Sequence, residues 1–245
     1  MTRSLRIPLA LAYGLAAHLT FAVAVLAMVV GLHSGLRTGQ GALTGGWAWL
    51  GNLALVLQFP LLHSWLLRDS GRRLLGRLAP ASIARDLAPT SFALLGSLQV
   101  LATFVLWSPT QIVLHEADGA ALWAWNAAFV ASWLFLVKAL WDAGLGLQTG
   151  SIGWTAVLRG KRVAYGDFPT HGLFRACRQP VYLGFALTLW TGPVHTLDGL
   201  VLASLWTLYC ILGPIHKEAR YLRIHGERFA SYREAVPFLL PRIKS

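Results

Sequence analysis

An all-α, polytopic integral membrane protein is the architecture that three features of the 245-residue chain imply. First, 56% of the residues belong to the AVILMFWYC set and only 13% are charged, whereas soluble domains carry roughly 25% charged residues. Second, the apolar residues gather in runs of the about 20 residues needed to cross a bilayer core. Third, when those runs are taken as spans, nineteen of the 21 Lys and Arg fall on one side, which the positive-inside rule makes cytoplasmic. The expectation is about six membrane helices, the last two forming a hairpin, with both termini cytoplasmic. A soluble domain and a disordered chain are both excluded by this composition. Cys177 and Cys210 lie 33 residues apart. That spacing fits no zinc or redox motif and argues against a disulfide-stapled secreted fold.

Each span has its own signal. Residues 7–32 form an apolar run too long for a signal-peptide core. Residues 47–67 form the second span, with Pro60 as a kink. Residues 89–114 and 122–147 form the third and fourth. The stretch 181–215 is too long for one helix and is broken by Gly192-Pro193-Val194-His195-Thr196-Leu197-Asp198-Gly199. Gly, Pro and Asp favour turns, so two helices joined by a tight turn are expected. The 11 Trp lie mostly at span ends, as in an aromatic belt. The chain thus reads as a four-span bundle over residues 1–147. Residues 148–245 then supply a cytoplasmic cofactor-binding segment, the hairpin and a C-terminal amphipathic helix, all within one membrane domain.

The net charge of +11 is mostly this sidedness. No basic-aromatic stripe occurs in a soluble segment, so nucleic acid is not expected as a partner. The expected partners are the lipid bilayer and a small or lipophilic ligand. The excess of Arg over Lys, 17 to 4, points to a high-GC bacterium and its inner membrane. Several motifs are absent: GxxxxGK[ST], HExxH and GxSxG do not occur. Gly144-Leu-Gly146-Leu-Gln-Thr-Gly150 departs from the dinucleotide fingerprint and follows a membrane helix, not a strand. His18, His63, His195, His216 and His225 have no metal-ligand spacing. Lys138 and Asp142, four residues apart near the end of a span, can pair on one helix face or snorkel to water. Cys177 beside Arg178 is read either as a thiol of depressed pKa or as a small buried residue.

Two segments carry the chemistry. The first runs from His171 through Gly172, Leu173, Phe174, Arg175, Ala176, Cys177, Arg178, Gln179, Pro180, Val181, Tyr182 and Leu183 to Gly184. Pro180 suits the first turn of a helix, where a missing N–H costs nothing. That places Arg178 just before a helix N-terminus, where free N–H groups and the dipole favour an anion. Gly172 and Gly184 permit close backbone approach. The plainer reading is an interfacial helix start with an Arg and Tyr anchor. The second segment is residues 218–237. Leu222, His225, Phe229, Tyr232 and Val236 share one helical face, as in an amphipathic interfacial helix, with a break possible at Gly226. Glu218 falls on that apolar face and needs a partner, either a neighbouring Arg, Arg178 or a cationic ligand.

Arg178-x-Pro180-x-Tyr182-x-Gly184 is followed 34 residues later by Glu218-xxx-Leu222-xxx-Gly226-xx-Phe229-xx-Tyr232-xxx-Val236-Pro237-xxx-Pro241. This pattern resembles the C-terminal signature of the integral-membrane superfamily of isoprenylcysteine carboxyl methyltransferases and phospholipid methyltransferases. With the Leu158-Arg159-Gly160-Lys161 lead-in and the four preceding spans, it looks most like the bacterial methanethiol S-methyltransferases and NnrU-like proteins. The clear match covers about a third of the chain. The resemblance implies an S-adenosyl-L-methionine-dependent methyltransferase in which Arg178 and Glu218 are the catalytic pair. It implies a cofactor pocket formed by His171, Gly172, Leu173, Phe174, Arg178, Gln179, Pro180, Tyr182, Leu183, Gly184, Glu218 and Tyr221. The acceptor would be a small or lipophilic thiol, carboxylate or amine. Two positions depart from the superfamily. Gln179 stands where His is usual and can hydrogen-bond but not carry charge, and Ala219 stands where a second acid is frequent. They motivate the alternative, a non-enzymatic NnrU-like membrane protein binding a hydrophobic ligand or haem.

Overall fold

The computed structural model of the protein describes residues 3–240. In chain order its elements are α1 (Arg3–His33), α2 (Gly45–Leu66), α3 (Asp69–Leu75), α4 (Ala84–Val105), β1 (Val113–Glu116), α5 (Gly119–Asp142), α6 (Leu145–Gln148) and α7 (Ser151–Arg159). A single 3₁₀ turn (Gly172–Arg175) leads to α8 (Pro180–Trp190), β2 (Val194–Thr196), α9 (Leu197–His225) and α10 (Glu227–Ala235). The fold is mostly helical. Among the described residues five helices, α1, α2, α4, α5 and α9, are long and apolar enough to cross a membrane, which makes this an integral membrane protein.

Six spans were expected, and the sixth is the difference. The apolar run 181–215 divides unequally, into the 11 residues of α8 and the 29 of α9. At 1.5 Å per residue, α8 is about 16 Å long, roughly half the hydrocarbon thickness. It stops because Gly192 and Pro193 follow Trp190 and the chain then extends into β2. The third expected span also ends early, at Val105, and residues 106–112 lead into β1. Pro109 disfavours helix at the residue before it. β1 and β2 pair antiparallel, with Val113 opposite Thr196, His115 opposite His195 and Glu116 opposite Val194. The amphipathic helix expected over residues 218–237 is two pieces. Its first part continues α9 to His225, and the chain breaks at Gly226, where φ is 53°.

The chain forms two compact units. One comprises the segment up to Gly31, Leu36–Thr110 and Leu145–Gly166. Within it amide side chains of α2 bond to backbone carbonyls of α4 and of the chain just after it. Gln58 Nε2 donates to the Gln99 carbonyl at 2.9 Å, and Asn52 Nδ2 to the Ser108 carbonyl at 2.8 Å. Such pairs satisfy groups that hydrocarbon cannot. The α7 turn rests on α4, where Thr90 Oγ1 donates to the Gly150 carbonyl at 2.7 Å and accepts from Trp154 N–H at 2.9 Å. Buried Asp86 accepts from Arg162 Nη1 at 2.9 Å and from Val163 N–H at 3.1 Å, which fixes the chain leaving α7.

The other unit comprises Leu32–Gly35, Gln111–Gly144 and the chain from Asp167 on, and it holds both chemistry-bearing segments. Here α8 packs against both α5 and α9. Gly184 makes the α5 contact possible: a Cβ at that position would lie 3.0 Å from Leu136 Cα. Small residues are what lets membrane helices approach this closely. Ser132 and Thr191 hydroxyls meet at 2.9 Å farther along the α5–α8 seam, and Trp190 Nε1 donates to Thr207 Oγ1 across to α9 at 2.9 Å. Gly184→Leu should therefore push α8 off α5. We expect it to destabilise the protein by about 1–3 kcal/mol, seen as a lower thermal midpoint in detergent. Leu200→Ala, at an exposed α9 position, should leave that midpoint in place.

Candidate functional site

The start of α8 and the middle of α9 meet through one buried carboxylate. Glu218 sits seven residues from the end of α9, on the face that meets residues 178 and 179. Arg178 Nε donates to Glu218 Oε1 at 2.9 Å and Nη2 to Oε2 at 3.2 Å, a two-point pair. Gln179 Nε2 adds a third bond to Oε1 at 2.7 Å. The Gln179 amide oxygen accepts from Lys217 Nζ at 3.1 Å. The Gln179 amide is thus oriented from both ends, by an acceptor on its nitrogen and a donor on its oxygen. Arg178 and Glu218 side chains are 10% and 9% exposed, shielded enough that loss of either partner strands a charge.

Arg178 also closes α10. Its Nη1 donates to the Arg233 carbonyl at 2.6 Å and to the Val236 carbonyl, and its own N–H donates to the Pro237 carbonyl at 2.9 Å. The last carbonyls of a helix have no intrahelical partner, and a cation there also suits the dipole. The guanidinium lies 5.6 Å from the Phe238 ring centroid.

Aromatic side chains wall the space beside these groups. Phe168 is the hub: its ring centroid lies 6.2 Å from Tyr221, 4.9 Å from His225, 5.2 Å from Phe229 and 5.6 Å from Tyr232. Lys217 Nζ lies 5.5 Å from the Tyr182 ring and 5.7 Å from the Tyr221 ring, within cation–π range. A small, partly open cleft is lined by Phe168, Pro169, Phe174, Arg178, Gln179, Lys217, Tyr221, Phe229 and Tyr232. Asp167, next in the chain to Phe168, accepts from Arg228 Nη2 and lies 3.3 Å from His225 Nδ1. The Arg228 hydrogen bond holds the Asp167 carboxyl below the usual carboxylate range. Tyr232 donates its O–H to the Phe174 carbonyl at 2.7 Å, and burial pushes its pKa up to about 12. Burial pushes the Cys177 thiol up as well, so of the two readings of Cys177 the small buried residue is the one observed.

Of the residues singled out in the sequence, Phe174, Arg178, Gln179 and Tyr221 line the pocket. Glu218 holds Arg178 and Gln179 from behind, and Tyr182 faces Lys217. The others do different work. Pro180 is the first residue of α8, with Leu183 in its first turns, and Gly184 is the α5 contact. His171 is exposed, and its carbonyl accepts the Phe174 N–H at 3.0 Å. Gly172 and Leu173 are held by Asp142 at the end of α5. Gly172 has φ 56°, and a Cβ there would lie 2.2 Å from Asp142 Oδ2. Leu173 N–H donates to that oxygen at 2.8 Å. Lys138 Nζ binds the same carboxylate. The Lys138–Asp142 pair is thus formed, and it anchors the turn that delivers Phe174.

Phe168, Pro169 and Lys217 were not legible as site residues. Phe168 and Pro169 sit in an irregular stretch where periodicity gives no signal. Lys217 did have one: it stands directly before Glu218 in a helix that is otherwise apolar for five turns.

The DUF1295 family, described as "Protein of unknown function (DUF1295)", matches residues 79–233. The chain is 27% identical to the methanethiol S-methyltransferase of Pseudomonas deceptionensis over 88% of this chain and 80% of that protein. It is 28% identical to methanethiol S-methyltransferase 1 of Bradyrhizobium diazoefficiens, covering 95% and 82%. It is 29% identical to the methanethiol S-methyltransferase of Mycobacterium tuberculosis, covering 95% and 96%. No solved structure matches the chain.

Two outcomes follow from this geometry. Asp142→Ala should leave the Leu173 amide without its acceptor, costing about 1–3 kcal/mol, and should speed amide exchange at Leu173. Asp142→Asn keeps an acceptor oxygen and should recover most of that protection. Tyr232 has a folded pKa raised from 10.0 to about 12. Its contribution to stability is therefore complete below pH about 10 and lost as pH rises through about 12. A stability-against-pH profile should lose that alkaline slope in Tyr232→Phe.

Proposed function

We propose that this chain, which belongs to the DUF1295 family, is an integral-membrane methyltransferase. It moves a methyl group from S-adenosyl-L-methionine to a small or lipophilic thiol, carboxylate or amine, with methanethiol the first acceptor to try. The observation that carries this reading is the pocket beside Glu218. Aromatic walls stand next to charged groups of both signs, in a chain similar over nearly its whole length to proteins named methanethiol S-methyltransferase.

The donor set fits that cofactor by its chemistry. S-adenosyl-L-methionine carries a sulfonium, an ammonium and a carboxylate. Aromatic faces and a carboxylate suit the two cations, and a cationic side chain suits the anion. The cleft between these side chains is about the size of one water, so a bound cofactor would extend from it, and the aromatic walls would have to part to admit it. When bound, the cofactor supplies an activated methyl on a cationic sulfur. The chain's part is to hold and orient. Glu218, fixed by Arg178 and Gln179, sets a negative charge of defined position. Phe168, Phe174, Phe229 and Tyr232 exclude water, which strengthens that charge's influence. An in-line displacement gains mostly from such positioning. An apolar acceptor would reach the site from the bilayer. We further propose cytoplasmic termini and a bacterial inner-membrane location, supported by the sidedness of the Lys and Arg; although α8 is short, β2 beyond it pairs with β1, so the chain returns to the β1 end before α9 and the even number of crossings is kept.

The test uses purified full-length protein supplied with S-adenosyl-L-methionine and methanethiol, with headspace chromatography for dimethyl sulfide. Turnover is expected in the parent and none in Glu218→Ala or Arg178→Ala. A folded parent that shows neither calorimetric binding of the cofactor nor methyl transfer to a panel of thiols, carboxylates and amines would overturn the reading.

A further inference from the structure

Two cations line the pocket, Arg178 and Lys217, and they differ in what their N–H groups still have to give. A guanidinium has five donors and an ammonium three. Four of the five on Arg178 are committed, two to Glu218 and two to the carbonyls of Arg233 and Val236. Releasing them would uncap α10 and strand Glu218. Lys217 is different. Its Nζ donates to Gln179 Oε1 at 3.1 Å and otherwise faces the rings of Tyr182 and Tyr221. Among the described residues no carboxylate pairs with it. Glu218, its chain neighbour, is taken by Arg178 and Gln179, and Asp167 is taken by Arg228 and His225. The pocket therefore carries one positive charge that the described residues do not neutralise, on a side chain with donors to spare.

Its position adds a second observation. Lys217 is tied to Gln179, the residue that immediately precedes the first helical residue of α8. Pro180, the first helical residue, has no N–H, and the Leu183 N–H is bonded to the Gln179 carbonyl at 3.0 Å, so the helix start offers few amide donors of its own. The donor aimed at the cleft is therefore the Lys217 ammonium, held in place by the Gln179 amide, and a carboxylate is the group such a cation suits.

We propose that Lys217 receives the carboxylate of the methyl donor's amino-acid end, leaving Arg178 to its structural partners. This rests on the methyltransferase reading above. In that arrangement Gln179 serves a purpose that a charged residue would not. Its neutral amide links the Arg178–Glu218 pair to Lys217 without cancelling the Lys217 charge.

The experiment compares two ligands by calorimetry on the full-length protein in detergent: S-adenosyl-L-methionine, and its decarboxylated analogue, which keeps the sulfonium and amine. Lys217→Met should weaken S-adenosyl-L-methionine by about 10- to 100-fold and leave the analogue's affinity unchanged, while Lys217→Arg should recover part of the loss. Lys217→Gln serves as a second neutral variant, and thermal midpoints confirm that each is folded. Equal losses for both ligands, or no loss for either, overturn the assignment of Lys217 and leave the methyltransferase reading standing. A folded parent that binds neither ligand overturns that reading, and this assignment with it.

Discussion

The Arg178–Glu218 pair is the interaction on which the rest of the second unit depends. It joins the residue that opens the approach to α8, a carboxylate deep in α9 and the end of α10, using one guanidinium. An ion pair this shielded costs desolvation, and replacing it by apolar groups can be neutral for stability. Its retention in an apolar helix therefore calls for something beyond stability. What it provides is position. With Arg178 donating in two directions, α10 cannot shift without moving Glu218's partner, and the aromatic face of α10 stays on Phe168. Removing either charge alone would be expensive, about 3–5 kcal/mol for such pairs, because the survivor has no water to turn to.

A second anchor works from the opposite side. Asp142 closes α5 and holds the amide of Leu173, while Tyr232 of α10 holds the carbonyl of Phe174. The short turn between residues 172 and 175 is thus gripped at consecutive residues from two elements. Glycine at 172 suits this on two counts: its φ is positive, and a side chain there would occupy the space of the Asp142 carboxylate. A glycine that the sequence marks as room for a ligand is in fact room for a carboxylate of the same chain. Gly184 has the same lesson with Leu136 as the neighbour.

What the sequence made legible was what hydropathy, charge side and a spaced signature can encode. Residues 178, 179 and 218 were recognised as belonging together across 40 positions of chain, and they meet. The break at Gly226 was also readable, because glycine after a helical face is a local signal. The length of α8 was not, because apolar composition says how hydrophobic a stretch is and not where Gly192 and Pro193 will end it. The three residues of β2 are below any period that a pattern can register. The aromatic hub Phe168 escaped for a related reason: its importance comes from residues more than fifty positions away, and no local spacing announces it.

The division of labour between the two pocket cations follows from their geometry. A guanidinium has its donors fixed in a plane and can serve several acceptors at once, which suits Arg178 to clamping a carboxylate and a helix end together. An ammonium is compact and turns freely, so it can serve one structural acceptor and still present hydrogens to something that comes and goes. Exchanging the two residues would give a clamp with too few donors and a ligand contact with too little freedom. On that basis the fixed charge of the site is the Arg178–Glu218 pair, and the charge free to respond to a ligand lies one residue away, on Lys217.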